Sequence, residues 1–124
     1  MMNKLLLIPF CIGILILSSC ESKDPSILKV YVRTLSNGLL GNARVVVIGD
    51  QQSNPATMEF VDTIYTNSSG FITINMDQYF DEFPNSTKNT TGYFDLIVEK
   101  DTTSGTGQAK CKIHTTTVET VYVQ

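Results

Sequence analysis

The sequence predicts an all-β fold, a seven-stranded antiparallel β-sandwich with one short helix, set behind an N-terminal export signal. Three observations lead there. From Ile27 onward apolar residues alternate with polar ones at period two, the spacing of a strand with one buried face. Clusters of Asn, Ser, Gly and Pro break that pattern into runs about 8 to 15 residues apart. One stretch, Asp77 to Phe83, has helical spacing instead, and it is too short to form a layer of its own.

The first strand is expected over Ile27 to Leu35, with Leu28, Val30 and Val32 on one face and Lys29, Tyr31 and Arg33 on the other. Ser36-Asn37-Gly38 ends it in a turn that requires positive φ. The second strand, Ala43 to Ile48, is apolar on both faces, so Val46 and Ile48 must be covered or form a contact surface. A polar loop over Gln51 to Thr57 leads to the third strand, Phe60 to Thr66. Asn67-Ser68-Ser69-Gly70 signals a turn, and the fourth strand, Phe71 to Met76, is expected to pair with the third as a hairpin.

Tyr79, Phe80 and Phe83 then fall at helical spacing; Asp77 can cap the first turn and Pro84 stops the helix, which is expected against the sheet edge. Asn85 to Gly92 reads as a surface loop. The fifth strand, Tyr93 to Lys100, puts Phe94, Leu96 and Val98 inward and Asp95, Ile97 and Glu99 outward. Thr102 to Gln108, with two glycines, reads as a flexible turn. Ala109 to Thr115 and Val118 to Val123 complete the set. In the sixth strand Ala109, Cys111 and Ile113 share one face, and Lys110, Lys112 and His114 share the other.

Ahead of the sandwich, Lys4 precedes the apolar run Leu5 to Leu17, which ends in Ser18-Ser19-Cys20. A charged start, a short apolar run and small residues at the end are the parts of an export signal. Leu5 to Leu17 is too short for a span and carries Pro9 and Gly13. Leucine three residues before a cysteine, with small residues between, resembles the bacterial lipoprotein signal. In that signal the cysteine is lipidated and becomes the first residue of the mature protein. The resemblance implies a signal peptide over 1–19, a palmitate-bearing Cys20, a polar tether over 20–26 and a sandwich domain over 27–124. It places the protein at the bacterial cell envelope, in the outer membrane, anchored by lipid. Lys23-Asp24 in the tether resembles the short charged signals that send lipoproteins to the outer surface in the Bacteroidetes.

The domain itself resembles the carboxypeptidase regulatory-like family, a transthyretin-like sandwich. The family's first hairpin carries Gly, then Pro-Leu, then Gly-Ala-x-Val; this chain has Gly38, Leu40, Ala43, Val45 and Val47, lacks the proline and has Asn42 before the alanine. Thr66-Asn67-Ser68-Ser69-Gly70-Phe71-Ile72 is similar to the family's Thr-Asp-x-x-Gly turn and the apolar strand after it. Tyr93 to Val98 is similar to its Tyr-x-Leu-x-Val strand, with shifted spacing. The family brings no catalytic residues.

The formal charge of the whole chain is −3, and Lys4 leaves with the signal, so clustered positive charge for nucleic acid or anionic lipid is not expected. Of three cysteines, Cys11 lies in the signal and Cys20 takes lipid, which leaves Cys111 as a buried, inert thiol. Were Cys20 unmodified, a Cys20–Cys111 disulfide becomes possible. There is no Gly-x-Ser-x-Gly, His-Glu-x-x-His, Cys-x-x-Cys or phosphate-binding glycine loop. Asp77, Asp81 and Glu82 fit no metal-binding loop, so no metal and no cofactor is expected.

These readings give a non-enzymatic envelope lipoprotein whose sandwich binds a protein or glycan partner; the alternative is a structural spacer or a subunit of a larger surface assembly. The expected partner surface takes in Val46, Ile48, Ile97, Lys110, Lys112 and His114, the lysines being expected to pair with Asp95 or Glu99 across strands. Asp101-Thr102-Thr103 resembles the Bacteroidetes O-glycosylation pattern, which makes Thr102 a candidate for modification. Three Asn-x-Ser/Thr sequons begin at Asn67, Asn85 and Asn89, and they carry no weight in a bacterial lipoprotein.

Overall fold

The computed structural model describes residues 23–82 and 90–124. The expected signal peptide, Cys20 and the first part of the tether lie outside the described residues, as do Phe83, Pro84 and the sequons at Asn85 and Asn89. Seven strands and one helix follow in order: β1 Ile27–Thr34, β2 Arg44–Gly49, β3 Val61–Tyr65, β4 Phe71–Asn75, α1 Asp77–Glu82, β5 Thr91–Lys100, β6 Thr103–Lys112 and β7 Thr116–Val123. They form a sandwich of two sheets, three strands in the order β4-β1-β7 and four in the order β3-β2-β5-β6.

Alternation explains the core. Leu28, Val30 and Val32 of β1, Val45 and Val47 of β2, and Phe94, Leu96 and Val98 of β5 are all fully buried between the sheets. Removing such side chains from water is the main favourable term of folding, about 1.5–3 kcal/mol for each Val, Leu or Phe. These are the residues that period two assigns to the inward faces. Around one end of the core Tyr79 of α1 packs edge-on against Phe94 and Phe60, with ring centroids 5.3 and 5.8 Å away. The Tyr79 hydroxyl accepts a hydrogen bond from the Met58 N–H at 3.0 Å, so the ring is buried while its polar tip stays partnered.

Four local expectations change. β3 and β4 do not form a hairpin: β3 pairs with β2 in the four-stranded sheet, and β4 pairs with β1 in the three-stranded one. The Asn67–Gly70 turn is present, with Gly70 at φ 77°, but it carries the chain from one sheet to the other. A turn signal reports a reversal and says nothing of pairing. Not every pair is antiparallel either. β1 and β7 run parallel from Ile27↔Thr116 to Thr34↔Val123, joining the first and last strands, a contact for which no local turn exists.

Of the stretch Thr102 to Gln108, expected as a flexible turn, Thr102 alone is turn and Thr103 to Gln108, with both glycines, is strand. The β5–β6 hairpin turns tightly at Asp101-Thr102, with Asp101 at φ 53° and the Thr103 hydroxyl donating to the Lys100 carbonyl at 2.6 Å. Gly105 has a packing reason, since a Cβ there would run into the Tyr122 carbonyl of β7. Nearby, Ser104 and Gln124 exchange backbone hydrogen bonds of 3.2 and 3.1 Å, which ties the two sheets together at that corner. Lastly, Asp77 does not cap the helix. Its carboxylate accepts from the Ser26 N–H at 2.8 Å, and the Asn75 side chain accepts from the Asp77 N–H at 2.9 Å in its place.

Two crossings between the sheets, β1 to β2 and β3 to β4, meet at one corner. There the buried Thr66 hydroxyl donates to the Leu40 carbonyl at 2.7 Å and accepts from the Ala43 N–H at 2.8 Å. Removing it leaves a buried donor and a buried acceptor unpaired, at a cost of about 1–3 kcal/mol. Thr66→Val, of nearly the same shape, is therefore expected to lower the urea midpoint by the equivalent of about 2 kcal/mol with the slope unchanged, and Thr66→Ser to keep most of the stability.

Candidate functional site

The outer face of the four-stranded sheet collects five of the residues expected at a partner surface, Val46, Ile48, Ile97, Lys110 and Lys112. Pairing registers set its rows. Val61, Ile48, Asp95 and Gln108 form one row, and Thr63, Val46, Ile97 and Thr106 the next. Val46, Ile48 and Ile97 are thus neighbours, half-buried by the sheet itself, and Val61, 64% exposed, extends the aliphatic strip to the sheet edge. A third row, Tyr65-Arg44-Glu99-Ser104, closes one side with an Arg44–Glu99 ion pair at 3.4 Å. Both partners are about half exposed, so the pair contributes little stability and acts as a polar rim.

The expected basic strip behaves differently. Lys110 does lie on this face, its ammonium 5.8 Å from the centre of the Tyr93 ring, and Lys112 follows at the end of β6. His114 is not a strand residue. It sits in the β6–β7 turn at φ 61°, its N–H donating to the Ser26 hydroxyl at 2.7 Å and its Nδ1 2.8 Å from the Asp24 carbonyl. The turn reverses at His114, so it faces the tether while the lysines face solvent. Nor do the lysines pair with the expected carboxylates: Glu99 is taken by Arg44, and Asp95 accepts from the Gln108 amide at 3.2 Å.

Thr102 is exposed at the tip of the β5–β6 hairpin. It helps line an open groove of about 550 Å³ together with Leu35, Leu40 and Val123. On α1, Asp77 is engaged with the tether, while Asp81 and Glu82 are exposed. Among the described residues no group of three His, Cys, Asp or Glu side chains is placed to hold a metal ion.

The opposite outer face, that of the three-stranded sheet, is one the sequence did not reveal. Tyr31 of β1 and Phe71 of β4 are register partners with ring centroids 5.5 Å apart. The Lys29 ammonium lies 4.2 Å from the centre of the Phe71 ring and 5.1 Å from that of Tyr31, and the Arg33 guanidinium 5.5 Å from Tyr31. Lys29, Tyr31 and Arg33 were legible as one face of a strand. Their aromatic neighbour was not, because it depends on β4 pairing with β1, with β2 and β3 lying between them in the chain.

No family model matches the chain, and comparison with curated proteins finds no similar sequence. Solved structures do resemble it. A catechol 1,2-dioxygenase of Acinetobacter radioresistens superposes with a TM-score of 0.51 at 10% identity, covering 82% of this chain and 52% of its own. A 3-chlorocatechol 1,2-dioxygenase of Rhodococcus opacus 1CP gives 0.51 at 13% identity, covering 85% and 61%. The protein S.CueP gives 0.51 at 10%, covering 83% and 63%. At such identities the likeness is one of fold alone, a β-sandwich, and this chain spans less than two thirds of each structure's length.

Cys111, 2% exposed in the core, is the free cysteine among the described residues. Burial pushes its thiol up to about 12, opposed by a hydrogen bond with Thr117 and reinforced by the nearby Glu119 carboxylate. Burial likewise raises Tyr79. Between the unfolded thiol value near 9 and the folded value, the folded state holds a proton that the unfolded state has lost. Stability should therefore be full below pH ~9 and fall toward pH ~12, by up to about 1.4 kcal/mol per pH unit from this group. Denaturation at a series of alkaline pH values should show that slope reduced in Cys111→Ala, the remainder having the sign expected of Tyr79.

Proposed function

We propose that this protein is a non-enzymatic lipoprotein of the bacterial cell envelope, anchored in the outer membrane through Cys20, whose sandwich binds a partner protein at the membrane surface. The observation that carries the reading is the aliphatic strip Val61-Ile48-Val46-Ile97 across the outer face of the four-stranded sheet. Outward positions of a strand in a small domain are ordinarily polar, and a contiguous apolar strip with a charged rim has the make-up of a protein contact. Its chemistry favours a protein over a glycan, since it offers aliphatic side chains and few donors.

The way the tether is received supports an anchored arrangement. Ser26 is buried; its N–H reaches Asp77, its carbonyl accepts from Met76 at 2.7 Å and its hydroxyl accepts from His114. The last residue of the tether is thereby gripped by the domain, and a lipid at Cys20 would stand within about 20 Å of it, the reach of six extended residues. The alternative role, assembly by strand addition, is discouraged at one edge, β3, which has five residues and by register puts Asp62 on the inter-sheet side.

Palmitate labelling and crosslinking in cells, on the full chain tagged after Gln124, test the proposal. The wild type should take label and recover one stoichiometric protein partner; Cys20→Ala should take none. Ile97→Asp should keep label and folding while partner recovery drops at least about tenfold. A labelled Cys20→Ala protein would sink the anchor, and an Ile97→Asp protein that recovers the partner at wild-type level would sink the interface.

A further inference from the structure

The outer face of the three-stranded sheet is built from β4, β1 and β7, and its rows are set by register: Asn75-Ile27-Thr116, Thr73-Lys29-Val118, Phe71-Tyr31-Thr120, and Arg33 beside Tyr122. Its charges are Lys29 and Arg33, both cations. None of the other outward positions in these rows is charged, in a chain whose formal charge is −3. The other sheet, by contrast, mixes Arg44 and Lys110 with Asp95 and Glu99.

Neither cation has a carboxylate within ion-pair distance among the described residues. Arg33 donates to the uncharged Asn37 side chain at 3.0 Å, and its Nε is buried with no hydrogen-bond partner. What holds these groups is aromatic. The Phe71 and Tyr31 rings attract the ammonium, and Tyr31 the guanidinium, through the negative faces of their π systems. Lys29 and Arg33 stand four residues apart on one strand, about 13 Å, on either side of Tyr31. Beside Arg33 Tyr122 is 50% exposed, and outward threonines are spread along the face, Thr120 beside Tyr31, Thr73 beside Lys29 and Thr116 beside Ile27.

We propose that this face binds a carboxylated oligosaccharide, Lys29 and Arg33 taking its carboxylates and the Tyr122 ring its sugar face. Two cations held against rings and left without acidic partners suit an anionic ligand. The ring and the hydroxyls select among anions: a sugar offers C–H faces to stack on an aromatic and hydroxyls to meet threonines. A nucleic acid needs a cation for each of many phosphates, and two cations on an acidic protein do not supply them. Arg33 can grip a carboxylate with two parallel N–H bonds, whereas Lys29 meets it as a point charge. This surface is on the other side of the sandwich from the protein contact proposed above, so the two fail separately.

Isothermal titration calorimetry on the full-length protein in nonionic detergent tests it, with oligogalacturonate, its methyl-esterified form and a thymidine oligonucleotide of matched charge as probes. Oligogalacturonate should bind with an affinity that falls as salt rises, and the methyl ester, which keeps the rings but not the charge, at least about tenfold more weakly. Lys29→Gln, Arg33→Gln and Tyr122→Ser should each weaken binding about tenfold, while Lys100→Gln, removing the same charge elsewhere, should not. Absence of oligogalacturonate binding, equal binding of the methyl ester or tighter binding of the oligonucleotide would each overturn the proposal. So would Lys29→Gln and Arg33→Gln proteins that remain folded and bind like the wild type.

Discussion

One hydroxyl, that of Thr66, sits where the chain twice changes sheet. β1 leads from the three-stranded sheet to β2 in the four-stranded one, and β3 leads back to β4. Both connections pass the same corner. Around Thr66 the Asn42 N–H donates to the Thr66 carbonyl and the Thr66 N–H to the Ala43 carbonyl, each at 2.9 Å, while the Val32 N–H reaches the Gly70 carbonyl at 2.8 Å. Gly70 completes the lock at φ 77°, where a Cβ would press to 2.9 Å from the Leu40 nitrogen. The two segments compared with the carboxypeptidase regulatory-like family, Gly38 to Val47 and Thr66 to Ile72, meet here as one unit. Each supplies hydrogen bonds that the other lacks.

With the inner faces committed to the core and the corner fixed, the outer faces are free of structural duty, and they differ in kind. The four-stranded sheet presents aliphatic side chains with a charged rim; the three-stranded sheet presents rings and cations. That difference is chemical, not topological. Inward positions are constrained by packing, where one methylene too few or too many costs of order 1 kcal/mol, whereas outward ones are constrained only by solubility and by what they touch. An outward Val46 beside Ile97, or a Lys29 over two rings, adds a cross-strand contact to the sheet and at the same time leaves a surface of distinct chemistry to solvent.

The inward residues were legible because period two is a local property. Leu28, Val30, Val32, Phe94, Leu96 and Val98 needed no knowledge of partners to be assigned to the core. Pairing is not local, and the failures follow from that. The Asn67–Gly70 turn looked like a hairpin because a reversal within one sheet and a passage between two use the same residues. Gly105 looked like a turn residue because glycine's freedom and glycine's smallness are indistinguishable in a sequence; here the smallness matters, against the Tyr122 backbone. His114 was assigned to a face by extending alternation past Lys112, where the strand stops. The aliphatic strip was half legible: Val46 and Ile48 by their own strand, their contact with Ile97 only once β2 lay beside β5.

The solved structures that resemble this chain sharpen the point about where function resides. Two are named as dioxygenases and the third is not described as one, yet each superposes on 82–85% of this chain at 10–13% identity. A frame held in common at so low an identity is specified by alternation, a few corners and the volumes of inward side chains. None of these carries chemistry. Whatever this chain does must then be written in positions that the frame leaves open, and among the described residues the most distinctive of these are the two outer faces. On the two proposals made above, the unlike faces would take partners of unlike chemistry on opposite sides of the sandwich, so that neither competes with the other for area, an arrangement suited to an adaptor.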